Sequence, residues 1–190
     1  MKKIALLLIL TIAFGSCSKE EKIANSDDNM PVIKGKRTFI IGSYHQPKTA
    51  NPFKTLAQNG YNYVKVNADS LELDKAEENN LNTWIYTTIF AKEDPENAKK
   101  KLAELINKYK DHPALLYWEI EDEPAYTWKS ADARISPQRM QVAHDIIKSE
   151  DPDRENITNH GPVNLISTLK EYNSSTDLVA VDVYPIVPHG

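Results

Sequence analysis

The chain has 190 residues, a formal net charge of −4 at pH 7 and a single cysteine. One cysteine excludes a disulfide framework, and a mildly acidic chain without a basic patch excludes nucleic acid as an expected partner. Residues 37–190 are numerous enough to bury one hydrophobic core but hardly two.

The first 17 residues have the layout of a targeting segment. A basic start (residues 2–3), an apolar run (4–14) and two small residues (15–16) precede Cys17. The run is too short to span a bilayer as a helix, and this order is that of a secretory signal. The segment resembles a bacterial lipoprotein signal peptide, which implies that Cys17 becomes the lipidated N-terminus. An ordinary signal peptide with an incidental cysteine is the alternative.

Residues 18–36 are polar, carry no periodicity and are predicted to form a tether. Their start, Ser-Lys-Glu-Glu, resembles the export tag of surface lipoproteins in Bacteroidota-type bacteria. With an acylated Cys17, this resemblance implies anchoring at the outside of the bacterial outer membrane, and the periplasmic face is the alternative. A membrane is therefore an expected partner through a lipid and not through a spanning helix.

Strand and helix patterns alternate from Arg37 onward. Strands are predicted where β-branched and aromatic residues cluster, and helices where apolar residues recur at helical spacing between start and stop signals. The predicted strands are 38–42, 61–67, 83–89, 114–120, 156–160 and 178–184. The predicted helices are 52–58, 71–78, one that starts near Asp94 and ends at 111–113, one that begins at 136–137, and one around 165–172.

This alternation predicts an α/β fold with a parallel sheet. Two architectures fit: a partial (β/α)8 TIM barrel with about six βα units, and a complete doubly wound sheet. The chain has no glycine-rich phosphate loop, and the first predicted strand is followed by Gly42 alone. A nucleotide-binding sheet would therefore lack its phosphate cradle, and no organic cofactor is implied.

The stretch 112–126 points most directly to a reaction. It is an apolar strand pattern that ends abruptly in Asp-Glu-Pro, and catalytic groups of barrel enzymes lie at the C-terminal ends of strands. Glycoside hydrolysis needs a proton donor with a raised pKa and a second carboxyl group. Glu123 is the candidate donor, because Asp122, Glu121 and Glu119 supply negative charge nearby. A Ca²⁺ or Mg²⁺ cluster is the weaker alternative, since adjacent strand residues face opposite ways; no metal site is predicted.

The sequence Tyr-Trp-Glu-Ile-Glu-Asp-Glu-Pro resembles the fourth-strand motif of clan A glycoside hydrolases, a large group of retaining (β/α)8-barrel enzymes. By position, this resemblance implies that Glu123 is the general acid/base. Asp122 stands where the clan has an asparagine that contacts the sugar 2-hydroxyl; an Asp accepts from a hydroxyl but has no amide hydrogen to donate. Segments 111–116, 151–154 and 182–185 are also similar to those of the clan.

Further candidate ligand-binding residues lie at strand ends or in the loop after the motif. Tyr44 follows the first predicted strand, Asn67 ends the second, His160 ends the fifth, and Trp128 follows the Asp-Glu-Pro motif. By resemblance, Tyr184 is an aromatic residue that lines the site after the sixth strand. Packing or surface roles are the alternative for each of them.

In clan A the nucleophile is a Glu at the end of the seventh strand, and this sequence stops after a sixth. We therefore expect residues 37–190 to be the N-terminal part of a longer barrel and to be inactive alone. The implied function of the full-length protein is retaining hydrolysis of a glycosidic bond, with a carbohydrate as substrate. The alternatives are a non-catalytic glycan-binding surface lipoprotein and an unrelated six-stranded α/β interaction domain.

Overall fold

A computed structural model describes two compact units of the chain, residues 1–38 and 39–190. The described residues are 24–25, 30–87, 94–126, 134–161 and 166–183. Among the helices in these ranges, none combines the length and the apolar character needed to cross a bilayer.

The first unit contains a small antiparallel sheet of β1 (Ala24–Asn25), β2 (Pro31–Ile33) and β3 (Lys36–Arg37). Lys34 and Gly35 connect β2 to β3 with positive φ angles of 50° and 71°. This backbone forms a two-residue hairpin turn whose twist matches that of the flanking strands. Residues 31–37 therefore form a hairpin at the end of the predicted tether 18–36. Its role as a tether stays a prediction.

The second unit contains a six-stranded parallel sheet whose strands lie side by side in chain order. The strands are β4 (Gly42–Ser43), β5 (Tyr63–Val66), β6 (Asn82–Tyr86), β7 (Leu115–Asp122), β8 (Asn156–His160) and β9 (Leu178–Val181). The helices between them are α1 (Pro52–Gln58), α2 (Ser70–Glu78), α3 (Pro95–Tyr109), α4 (Pro137–Glu150) and α5 (Ile166–Lys170). The sheet curls into a half-barrel, which confirms the predicted partial (β/α)8 TIM barrel. A doubly wound sheet is excluded, because its strand order reverses at a switch point.

The helices begin where the sequence offers caps for free backbone N–H groups. The side chains of Asp69, Asp94 and Ser136 each accept from an N–H two or three residues further on, at 2.8, 3.1 and 3.3 Å. A proline occupies the first turn of α1, α3 and α4, where its missing N–H leaves no helical bond unmade. These local signals explain why the helix positions follow from the sequence.

The hydrophobic core lies between the outer face of the sheet and the helices. Alternate strand residues point to opposite faces, and those on the outer face of β5, β6 and β7 are mainly apolar. Val64 and Val66 of β5, Ile85 of β6, and Trp118 and Ile120 of β7 are at most 2% exposed and pack with the buried faces of the helices. The inner face of the half-barrel is aromatic and polar, and it carries the candidate site.

The first strand of the barrel is shorter than predicted. The side-chain oxygen of Asn62 accepts from the Ile41 N–H at 2.8 Å, and its amide donates to the Phe39 carbonyl at 2.7 Å. These bonds replace strand pairing before Gly42. Phe39 and Ile41 are 71% and 46% exposed, so burial does not hold them in the sheet either. The predicted range of β8, in contrast, is confirmed at both ends.

Candidate functional site

Carboxyl groups line the inner face of the half-barrel toward the C-terminal end of β7. Glu119 and Glu121 alternate with the buried Ile120, so both face inward. Pairing between β7 and β8 is irregular between Glu119 and Asp122, and Asp122 pairs with Asn159. Such a bulge redirects a side chain at a strand end. It brings Asp122 toward the inner face as well.

Glu119 is a buried acid with two hydrogen-bond donors. The Tyr44 hydroxyl donates to its Oε1 at 2.5 Å, and the indole N–H of Trp84 donates to its Oε2 at 2.7 Å. The side chain is only 1% exposed. Burial raises the pKa of Glu119 to about 7, although both hydrogen bonds and the charge of Lys65 lower it. This acid therefore changes charge near neutral pH.

Glu121 is the second inward-facing acid. The Tyr86 hydroxyl donates to its Oε1, and no described group bonds its buried Oε2. Burial raises the pKa of Glu121. The hydrogen bond from Tyr86 lowers this pKa, and the charge of Asp122 raises it further. A buried oxygen without a donor is costly for an ionised carboxylate, and this cost acts in the same direction as burial on the pKa of Glu121.

Lys65 places a positive charge between the two tyrosines that bind these acids. Its ammonium nitrogen lies 4.9 Å from the ring centroid of Tyr86 and 5.9 Å from that of Tyr44. At these distances a cation is attracted to the electron-rich face of an aromatic ring. Lys65 therefore offsets the negative charge of Glu119 without a direct ion pair being needed.

Asn159 joins two further acids at the ends of neighbouring strands. Its Nδ2 donates to Asp122 Oδ1 at 2.9 Å and to Asp182 Oδ1 at 3.0 Å, and the residue is 3% exposed. A carboxylate accepts but does not donate, so these bonds fix which end of the amide faces the acids. Within the described ranges, no group of three or more His, Cys, Asp or Glu side chains could hold a metal ion.

Glu123, the predicted proton donor, follows β7 directly. Its φ angle is 49°, in the left-handed region that non-glycine residues rarely adopt and that recurs at functional sites. Its N–H donates to the Asn159 carbonyl at 2.9 Å, and its own carbonyl accepts from the Tyr126 N–H at 2.9 Å. The backbone of this half-buried residue is therefore held on both sides at the C-terminal end of the fourth barrel strand.

A polar cleft of ≈ 340 Å³ opens at the ends of the first and second barrel strands. Its lining comprises Tyr44, His45, Gln46, Lys65, Val66, Asn67 and Glu72. Two predicted ligand-binding residues, Tyr44 and Asn67, share this cleft. Asn67 donates through its amide to the Glu72 carboxylate at 3.1 and 3.2 Å. Because Tyr44 also bonds Glu119, the cleft adjoins the buried acids.

His160 does not join the inner-face residues, although its position at a strand end predicted a ligand contact. It alternates with Asn159 along β8 and therefore points to the helix side. There it is fully buried, with its ring edge-on to Tyr172 at 5.7 Å between centroids. Burial lowers the pKa of His160, which keeps the ring neutral. The prediction used its place along the strand and ignored its direction.

The other predicted site residues divide into two groups. Asp122 and Glu123 lie together at the end of β7, and their roles stay predictions. Trp128, Tyr184 and Cys17 lie outside the described residues.

The sequence analysis missed Asn159 and took Glu119 only as a neighbouring charge. A signal existed for Glu119. Once Glu121 is taken as inward-facing, steps of two residues place Glu119 on the same face. On β8, the residue beside His160 then competes with it for the inner face, and the sequence alone does not fix which of the two points inward.

Replacing Tyr44 by Phe is expected to raise the pKa of Glu119 above about 7, because the hydroxyl donates to the ionised form and lowers this pKa. The carboxyl ¹³C signal of Glu119, followed by NMR across a pH titration, measures the shift. Tyr61→Phe removes a hydroxyl from a partly buried tyrosine that packs against the core and serves as the control. An unchanged pKa in Tyr44→Phe would contradict the assigned hydrogen bond.

Comparison with known proteins finds similarity only at the level of structure. No family model and no curated protein matches the sequence. The chain is similar to a β-glucuronidase of Parabacteroides merdae, with 16% identity and a TM-score of 0.59 over 79% of this chain and 20% of the other. It is similar to a β-galactosidase of the psychrophilic Marinomonas ef1, with 13% identity and a TM-score of 0.57 over 77% of this chain and 41% of the other. It is also similar to a glycosyl hydrolase family 2 member of Bacteroides cellulosilyticus, with 12% identity and a TM-score of 0.59. This match covers 85% of this chain and 24% of the other.

The half-barrel is therefore of the kind found in glycoside hydrolases, with acids gathered at the C-terminal ends of its strands. The TM-scores of these matches establish a shared fold. The chain spans between about a fifth and two fifths of the length of the three proteins compared.

Proposed function

We propose that this half-barrel belongs to a glycoside hydrolase in which Glu123 is the general acid/base. One observation carries the proposal: Glu123 directly follows the fourth barrel strand, with φ of 49° and its N–H bonded to the neighbouring strand end. Active sites of such barrels lie at this end of the strands. Solved structures with the same fold are of a β-glucuronidase and a β-galactosidase, which supports a carbohydrate as the substrate.

The proposed chemistry assigns separate tasks to the two residues at the end of β7. Glu123 gives a proton to the glycosidic oxygen as the bond to the sugar breaks, and later takes a proton from the attacking water. Asp122 accepts a hydrogen bond from a sugar hydroxyl through the oxygen that Asn159 does not bond. Retaining hydrolysis also needs a nucleophile, which in clan A follows the seventh strand. We therefore propose this reaction for a protein whose barrel includes such a strand.

A second candidate function is glycan binding without catalysis. Asp122 stands where the clan has an asparagine, and one of its oxygens is already bonded by the Asn159 amide. A site that accepts hydrogen bonds from sugar hydroxyls but donates none at this position can hold a glycan without stabilising the transition state.

The two candidates are separated by measuring turnover and binding with one preparation of a protein whose barrel includes the seventh strand. Release of nitrophenol from a panel of aryl glycosides, including a β-glucuronide and a β-galactoside, reports hydrolysis. Calorimetry with oligosaccharides reports binding. Turnover supports the hydrolase, and binding without turnover supports the second candidate. Neither signal across the panel would reject both.

We further propose that the protein is a lipoprotein at the bacterial outer membrane, exposed at the cell surface. The support is the order of basic, apolar and small residues before Cys17 and the acidic start that follows it. One acyl-modified cysteine attaches a protein to a membrane without spanning it.

Cys17→Ser is expected to abolish incorporation of labelled palmitate and to move the protein from the membrane fraction to the soluble fraction, because a hydroxyl cannot form the thioether that carries the lipid. Ser16→Ala, which leaves the thiol in place, is the matched control. Surface exposure is measured by protease digestion of intact cells. Equal labelling of the Cys17→Ser variant would reject the lipid anchor.

A further inference from the structure

We propose that Asn159 is the positioning residue of the candidate site. Its side-chain amide sets the places of Asp122 and Asp182, and its backbone carbonyl holds the backbone of Glu123. This inference rests on the proposed function, in which Glu123 and Asp122 are the residues that meet the substrate.

The geometry behind this proposal is a convergence of three contacts on one residue. Both hydrogens of the Asn159 amide are used, one toward Asp122 at 2.9 Å and one toward Asp182 at 3.0 Å. The Asn159 carbonyl accepts the Glu123 N–H at 2.9 Å. The fifth barrel strand thus holds the ends of the fourth and sixth strands at the level where the site lies.

The side-chain amide of Asn159 lies between two carboxyl groups, those of Asp122 and Asp182. The bonded oxygens of Asp122 and Asp182 lie within about 6 Å of each other, because both contact the same nitrogen. Two carboxylates at this separation repel each other, and less solvent between them makes the repulsion stronger. The two amide hydrogens lie between the acids and offset this repulsion.

Burial makes the arrangement rigid. Asn159 is 3% exposed, so water has little access to replace a lost amide hydrogen. A buried amide that loses its acceptors carries a desolvation cost. The bonds therefore hold in a single arrangement, and Asp122 is fixed directly beside the left-handed Glu123.

The same strand provides a matched control. Asn156 is also buried and also makes two side-chain bonds, to His144 Nδ1 at 2.7 Å and to the Ser175 carbonyl at 3.0 Å. It lies on the opposite face of β8, toward the helices. Asn156→Ala therefore removes a buried amide at comparable structural cost and leaves the inner face untouched.

The test compares Asn159→Asp, Asn159→Gln and Asn156→Ala with the unaltered protein. Asp has the shape of Asn without its amide donors, so it preserves the side-chain volume, removes both hydrogen bonds and adds a third carboxyl group beside Asp122 and Asp182. Amide hydrogen exchange at Glu123 and Asp182 is expected to be about tenfold faster or more in Asn159→Asp than in Asn156→Ala, because the strand ends open locally. Equal exchange at these two amides in both variants would overturn the positioning role.

Kinetics provides the second readout. Asn159→Asp is expected to lower kcat by about 10–100-fold with a smaller change in KM, because misplaced catalytic groups slow the reaction more than they weaken binding. Asn159→Gln keeps the two donors and should recover part of this loss; Asn156→Ala should leave kcat unchanged. Wild-type kcat in Asn159→Asp would overturn the inference. These rates are measured on proteins whose barrel includes the seventh strand. No turnover in any of them, the unaltered one included, would reject the proposed function instead, and hydrogen exchange would still decide the positioning role.

Discussion

Replacing Glu123 by Gln is expected to lower kcat/KM on an oligosaccharide substrate by about 10²–10⁴-fold, because the amide has the same shape but no proton to give. The loss should be much smaller on nitrophenyl glycosides, whose leaving group departs as a stable anion and needs little protonation. Glycan affinity should stay within a few-fold of that of the unaltered protein. This dependence on the leaving group identifies a general acid, since a residue that only binds the sugar would affect both substrates equally.

The control for this experiment is Glu104→Gln, because the Glu104 side chain is 65% exposed on α3 and forms an ion pair with the exposed Lys100. Its activity should match that of the unaltered protein. Glu123→Gln should also keep its stability, since Glu and Gln meet the same steric cost at a φ of 49°. Equal losses on both substrate types, or no loss on either, would remove Glu123 from its assigned role.

The second large effect concerns the pH dependence of stability. Burial raises the pKa of Glu119 from 4.5 to about 7, so between these values the folded protein holds a proton that the unfolded chain releases. The contribution of Glu119 to stability is therefore fully present below about pH 4.5 and is lost as the pH rises through about 7. The free energy of unfolding should fall by about 3 kcal/mol across this window.

Glu119→Gln should flatten this dependence, because the amide stays uncharged at every pH. Urea unfolding at about pH 5 and about pH 8 measures the difference for each protein. A smaller dependence of the free energy of unfolding on pH should remain in this variant, since burial also raises the pKa of Glu121. Glu104→Gln should keep the full slope. A Glu119→Gln protein that loses as much stability as the unaltered one would show that Glu119 stays ionised in the folded state.

The helices and their caps could be predicted from the sequence because their causes are local. Asp69, Asp94 and Ser136 cap helices whose first turns lie within three residues of them. The apolar pattern of β7 likewise marks a strand buried on its outer face, and the acids that end it mark the candidate site. The sequential strand order was one of two predicted options, and only the paired strands decided between them.

The missed and misplaced features share one physical cause. The direction of a strand side chain depends on its register against the next strand, and register is a property of two distant segments. Asp122 turns inward because β7 and β8 pair irregularly before it. His160 turns outward because Asn159 takes the inner position beside Asp122. Neither the bulge nor the pairing can be predicted from the sequence of β7 or of β8 alone.

The sequence by itself determined the alternation of strands and helices, the targeting pattern before Cys17 as a prediction, and Glu123 as the residue to test. Each depends on neighbours in the chain. Only the tertiary structure decided that Tyr44 and Trp84 bond Glu119, and that one amide of Asn159 joins acids from two other strand ends. These contacts join residues 23 to 75 positions apart, and they form only when the parallel strands align their C-terminal ends on one side of the sheet.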